Sequence, residues 1–219
     1  MIYAYGICEP VTAACVSGHR GLGGAALHAV DRGRLAGVYT RHRSTCTGPL
    51  SRLVLEHERV VEAIMAAGPV LPLRAGTGLA CPEDLARVLD ERHDEFLRSL
   101  DYVRGRTELG IRVTPHLQFP GRRADGSSGR EYLMARVQEQ RRSRQAIREV
   151  HAELAILARA ARVRPPRPPA VLTASYLVDA DRTGDFRRRA EQLARRQTEL
   201  EIMVTGPWPP YSFATEAQA

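Results

Sequence analysis

The sequence predicts an α+β protein of two domains, each a small, mainly antiparallel sheet with helices packed on it. Three observations lead there. Short strand-like segments open the chain around tight turns. The hydrophobic period then switches repeatedly between helical and extended spacing, in an order that does not alternate as a doubly wound sheet would. A Gly/Ser-rich stretch, residues 120–129, divides the chain near its middle.

Residues 2–8 (Ile-Tyr-Ala-Tyr-Gly-Ile-Cys) read as a strand ended by Glu9-Pro10. A glycine loop at Gly18–Gly24 leads to Ala25–Val30 and Leu35–Thr40, which Asp31-Arg32-Gly33-Arg34 joins as a hairpin. Leu50, Leu53, Val54, His57, Val61, Ile64 and Met65 recur at three- and four-residue steps, so a helix runs from Pro49 to Gly68-Pro69. Val70–Arg74 is a short strand, and Pro72 sends it to an edge or bends it, because proline cannot donate to a ladder. A second helix opens at Pro82-Glu83-Asp84 and buries Leu85, Val88, Leu89, Phe96, Leu100 and Val103.

Strict alternation follows, with Leu109, Ile111, Val113, Leu117 and Phe119 facing inward and Glu108, Arg112, Thr114, His116 and Gln118 outward. A long helix is expected from about Arg130 to Val163, ended by the stiff Arg164-Pro-Pro-Arg-Pro-Pro169. A buried strand at Ala170–Val178, a helix over Asp185–Arg196 and a strand carrying Leu200, Ile202 and Val204 complete the second half. The expected domains are residues 1–107 and 108–219.

Composition narrows the function classes. Hydrophobic residues make up 43% of the 219 and charged ones 26%, a balance that fits a packed protein rather than a disordered one. No apolar run is long enough for a membrane span, and no basic-then-apolar segment opens the chain, so the expected location is the cytosol without membrane contact. The formal charge of +7 raises a basic RNA- or DNA-binding module as the alternative function. All 32 basic residues are arginine, however, and only 5% of residues are aromatic, which supplies little for base stacking. The clusters Arg141-Arg142-x-Arg144 and Arg187-Arg188-Arg189 are interspersed with glutamates and read first as solvated helix faces, then as docking surfaces for an acidic partner.

The search for reactive constellations yields no catalytic, cofactor-binding or metal-binding residues. Cys8, Cys15, Cys46 and Cys81 form no Cys-x-x-Cys pair and read as buried small hydrophobes. Gly21-Leu-Gly23-Gly24-Ala-Ala26 matches a dinucleotide fingerprint in letters only, since no long helix follows, and reads as a flexible connector. His57 lies between Glu56 and Glu58 on a helix face near the core edge, with no second ligand in register. His42 and Cys46 are two residues in a loop, short of a metal site.

The most distinctive feature is Gly206-Pro207-Trp208-Pro209-Pro210-Tyr211-Ser212-Phe213, directly after the last strand. Together with Tyr3-Ala-Tyr-Gly6, Gly21–Thr40, His57-x-x-Val-Val61, Leu71-Pro-Leu-Arg74, Glu108–Val113, Gly129–Leu133 and Tyr176-Leu-Val178, it resembles the gas vesicle L/F protein family along nearly the whole chain. Arg74-Ala75 departs from that pattern, where phenylalanine more often follows the arginine. The resemblance implies two modified ferredoxin-like domains and a non-catalytic role as assembly factor or minor structural component of gas vesicles. It also implies partnership with the small shell protein and other gas vesicle proteins. Three prolines stiffen the closing motif, and Trp208, Tyr211 and Phe213 give it aromatic area. It reads first as an anchor that holds the tail across the second domain, and second as a surface presented to a vesicle subunit.

Overall fold

The computed structural model describes residues 1–43, 49–116 and 129–214. They form two compact units, one comprising residues 1–108 with the segment from Trp208 onward, the other Leu109–Pro207. The expected loop at 120–128 and Cys46 lie outside the described residues.

The sheet of the first unit contains β1 (Ile2–Cys8), β2 (Leu27–Arg32), β3 (Leu35–Arg41), β4 (Val70–Pro72) and β5 (Gly78–Leu79). Its order is β2-β3-β1-β4, with β5 also paired to β1. β1 is central and antiparallel to β3, β4 and β5, so all seven of its residues are buried. Pro72 does end an edge strand. The β1–β3 register shifts between Ala4 and Gly6, and the extra residue there changes which face the side chains take. Tyr3 and Tyr5 accordingly share a cluster with Cys8, while Ile2, Ala4 and Ile7 pack on the opposite side.

Helices cover both faces of this sheet. On the tyrosine face lie α1 (Pro10–Cys15) and α2 (Leu50–Ala67), which contribute Ala13, Val60, Val61 and Ile64. On the other lie α3 (Pro82–Glu91) and α4 (His93–Val103), with Leu85, Leu89, Phe96 and Leu100. Burying a side chain of this size stabilises by about 1.5–3 kcal/mol. Two departures from the sequence reading occur here. α1 was hidden because Pro10, a good first helical residue, reads equally well as the end of a strand. The helix expected from Pro82 to Val103 is two, broken at Arg92 (φ −117°, ψ 24°) without glycine or proline to announce it.

The second unit holds β6 (Arg106–Pro115), α5 (Gly129–Ala155), β7 (Ala160–Arg164), β8 (Leu172–Asp179), α6 (Thr183–Arg196) and β9 (Leu200–Trp208). Its sheet has the order β7-β8-β6-β9. Leu109, Ile111 and Val113 of β6 join Tyr176 and Val178 of β8 under Val150 and Leu154 of α5 and Phe186 and Leu193 of α6. The long helix stops at Ala155 rather than Val163. Arg159 N–H donates to the Leu177 carbonyl (2.8 Å), its guanidinium pairs with Asp179, and Ala160–Arg164 then runs antiparallel to β8. Ala-Ala-Arg-Val-Arg is too short for its period to distinguish helix from strand, and pairing with a neighbour decided it.

Candidate functional site

The closing motif begins inside β9, whose last three residues are Gly206, Pro207 and Trp208. Gly206 has φ 96°, a left-handed conformation open to glycine, and its carbonyl accepts from the Arg187 guanidinium. The Trp208 carbonyl accepts from Thr107 Oγ1 at 3.0 Å, and the residue as a whole is 40% exposed. Pro209 and Pro210 are buried and lead into a tight turn, in which the Phe213 and Ala214 amides donate to the Pro210 carbonyl, each at 3.0 Å. Phe213 and Ala214 are buried.

Two carboxylates hold this turn. Glu108, 7% exposed, accepts from the Ser212 amide at 2.7 Å and from the Ser212 hydroxyl at 2.6 Å, one bond to each oxygen. Charge-assisted bonds of this length are about twice as strong as neutral ones. Glu108 therefore does not face solvent, as strand alternation suggests. It sits at the start of β6, where the closing turn covers it. Glu58 accepts from the Tyr211 hydroxyl at 2.9 Å through Oε2. Burial raises the Glu58 carboxyl above its ordinary range, Glu62 adds to this, and the Tyr211 hydroxyl pulls the other way. The Tyr211 hydroxyl is itself pushed up, by burial first and by Glu58 second. The motif was expected with the second domain, yet Tyr211 and Ser212 bond to Glu58 and Glu108, and Tyr211 and Ala214 pack on clusters of the first unit.

Behind Tyr211 lies a buried polar network. His57 is 1% exposed, so it is a core residue rather than one at the core edge. Its Nε2–H donates to the Leu73 carbonyl (2.9 Å) and its Nδ1 accepts from the Tyr3 hydroxyl (3.0 Å), which fixes the neutral tautomer. Burial lowers its pKa from 6.5 to about 4. The Tyr5 ring stacks on His57 at 5.4 Å, and the Tyr5 hydroxyl accepts from the Leu22 amide at 2.7 Å. This explains the glycine loop. A Cβ on Gly21 would overlap the Tyr5 hydroxyl, Gly23 and Gly24 have φ of 63° and 74°, and the Gly23 amide donates to Glu56 at 2.8 Å. The segment is a built turn against β1 and α2, not a flexible connector, and no dinucleotide geometry accompanies it.

His57, Tyr3 and Tyr5 thereby hold the backbone at Leu73, Gly76 and Leu22, whereas Glu58 Oε1 is buried without a hydrogen-bond partner among the described residues. Among the described residues no group of three His, Cys, Asp or Glu is placed to hold a metal, and no helix is long and apolar enough to cross a membrane. Among the described cysteines Cys8 is buried, its thiol pushed up to about 12 by burial, while Cys15 is exposed and Cys81 intermediate.

The family model for gas vesicle synthesis protein GvpL/GvpF matches residues 1–215. The chain belongs to the gas vesicle GvpL/GvpF family. Gas vesicle protein L of Streptomyces sp. (strain CB03234) is 29% identical, over 99% of this chain and 93% of its own length. Gas vesicle protein F of the same strain is 31% identical over 75% of this chain and 78% of its length. Gas vesicle protein F1 of Halobacterium salinarum is 26% identical over 97% and 92%. Crystal structures of GvpF from Anabaena sp. and Microcystis aeruginosa share the fold, with TM-scores of 0.80 and 0.78 at 20% identity, each over 97% of this chain. For this GvpL/GvpF chain, the carboxylates Glu58 and Glu108 were the residues that sequence reading missed. The available signal was their position, Glu58 beside a buried helix stripe and Glu108 at a strand start.

Proposed function

We propose that the chain is a non-catalytic assembly factor or minor component of gas vesicles that binds the small hydrophobic shell protein, acting at vesicles in the cytoplasm. One observation carries this reading. The closing motif anchors Tyr211, Ser212 and Phe213 inward while leaving Trp208 40% exposed on a proline-stiffened support. A rigid, amphipathic aromatic held outward is suited to an apolar partner, because little side-chain entropy is lost when it is covered. The commitment of His57 and Glu108 to structural bonds supports a non-catalytic role.

The arginines favour this reading over a nucleic-acid-binding module. Arg187 bonds the Gly206 carbonyl, Arg188 pairs with Asp185 and Arg189 with Glu153, so the densest cluster is largely spent within the chain. The test is capture of purified shell protein by the wild-type chain and by Trp208→Ala, with nuclease-treated samples alongside. Reduced capture by a variant of unchanged stability is expected. Equal capture would remove the role of Trp208, and salt-sensitive retention of RNA or DNA would favour the alternative.

A further inference from the structure

We infer that the free edge of the first sheet is a docking site for an extended strand from a partner protein, one that brings an apolar side chain and a cation two residues apart. The inference does not depend on which gas vesicle protein supplies the strand. β2 pairs only with β3, and no strand lies on its outer side among the described residues. The hairpin register decides which backbone groups are open. Arg32 and Leu35 flank the two-residue turn Gly33-Arg34, with Gly33 at φ 61°, and form its closing pair. Hydrogen-bonded and non-bonded pairs alternate from there, so Val30 and His28 bond to β3 while Leu27, Ala29 and Asp31 turn their amides and carbonyls outward.

The same three residues share the sheet face covered by α1, and there the edge meets a cavity of about 130 Å³. Ala13, Ala14 and Val16 form its helix side, and Leu27, Ala29 and Val38 its sheet side. An apolar cavity of about 150 Å³ takes a benzene ring, so this one suits a leucine- or methionine-sized side chain. Asp31 stands at the cavity's rim, exposed, and its carboxylate has no ion-pair partner among the described residues. Its neighbour Arg32 is drawn across the opposite face to Asp90 at 3.1 Å. Main-chain pairing, a side-chain pocket beside Ala29 and a carboxylate two residues on together specify the occupant: a strand with an apolar residue opposite Ala29 and a lysine or arginine opposite Asp31. A second copy of the chain fits poorly. Antiparallel self-pairing centred on Ala29 or Val30 sets Asp31 against Leu27 or Ala29 of the other copy and supplies no cation.

The experiment uses the full chain and two fluorescein-labelled threonine-rich heptapeptides, one containing Lys-Thr-Leu for antiparallel addition, the other Leu-Thr-Lys for parallel addition. One of them is expected to bind, and to protect the Ala29 and Asp31 amides from hydrogen exchange. Ala29→Pro, which removes an outward amide at an edge where proline is tolerated, should abolish binding. Ala14→Met should weaken it by filling the cavity from an exposed helix position. Asp31→Lys should weaken it about fivefold, with recovery when glutamate replaces the peptide lysine. Failure of both peptides to bind at millimolar concentration, or binding untouched by Ala29→Pro and Asp31→Lys, would overturn the inference. Concentration-dependent dimerisation lost in Ala29→Pro would assign the edge to a second copy instead.

Discussion

Each unit sets a helix histidine against a strand tyrosine, and the two pairs serve different ends. In the first unit His57 is enclosed, bonded at both ring nitrogens and stacked on Tyr5, with the ring of Tyr211 tilted 6.5 Å away. In the second, His151 Nδ1 meets the Tyr176 hydroxyl at 2.7 Å at the border of the core, while the Tyr176 ring packs on Phe186 at 5.2 Å. The first pair is part of a polar frame that fixes loops and the tail. The second caps a core that is otherwise aliphatic and aromatic. The contrast teaches that polar burial is spent where irregular backbone has to be held, because side-chain hydrogen bonds specify a turn more sharply than apolar packing does.

The comparison breaks most visibly at Phe186, which is fully buried under α6. Phe186→Ala should cost about 3–5 kcal/mol in denaturant-induced unfolding. A cost below about 1 kcal/mol would mean the second core is not close-packed.

Acid should act on the first unit. His57 has a folded pKa of about 4 against 6.5, so it stays neutral in the fold. Its contribution is complete above pH 6.5 and is lost as pH falls toward 4, when the unfolded chain takes up a proton the fold refuses. The total loss reaches about 3 kcal/mol. Glu58, raised by burial, works oppositely: its contribution is present below about pH 4.5 and fades as pH rises above that. His57→Gln should therefore flatten the stability profile between pH 6.5 and 4, and a slope equal to wild type would remove His57 as its source.

Ser212→Ala sharpens the role of the closing turn. It deletes one of the two bonds to buried Glu108, a loss of about 1.5–3 kcal/mol for a hydrogen bond to a charged group. Near-UV circular dichroism of the same variant should show a loosened aromatic environment. The smallest effect belongs to Trp208→Ala, which should stay within about 0.5 kcal/mol of wild type because the residue is 40% exposed. Wild-type tryptophan emission should be red-shifted and readily quenched. Blue-shifted, protected emission would return Trp208 to an anchoring role.

Much of this molecule was legible in residue order. The alternation at Leu109, Ile111 and Val113, the stripe residues His57, Val61 and Ile64, and the Asp31–Arg34 turn appear where local spacing puts them, although Leu50 and Val54 of the same expected stripe are exposed. Those signals are local, arising from the two-residue and 3.6-residue periods of the backbone, and they determined the fold class and most elements; the family was legible in the residue identities of Gly206–Phe213. The tertiary structure alone decided that Ala160–Arg164 is a strand, that Glu108 is buried, and that the closing turn belongs to the first unit. Each of these depends on partners far away in sequence: Ala161 on Tyr176, Glu108 on Ser212, Tyr211 on Glu58. A short or polar segment carries no period strong enough to name its own environment. Its state is set by which unpaired backbone groups and carboxylates the folded chain brings alongside it.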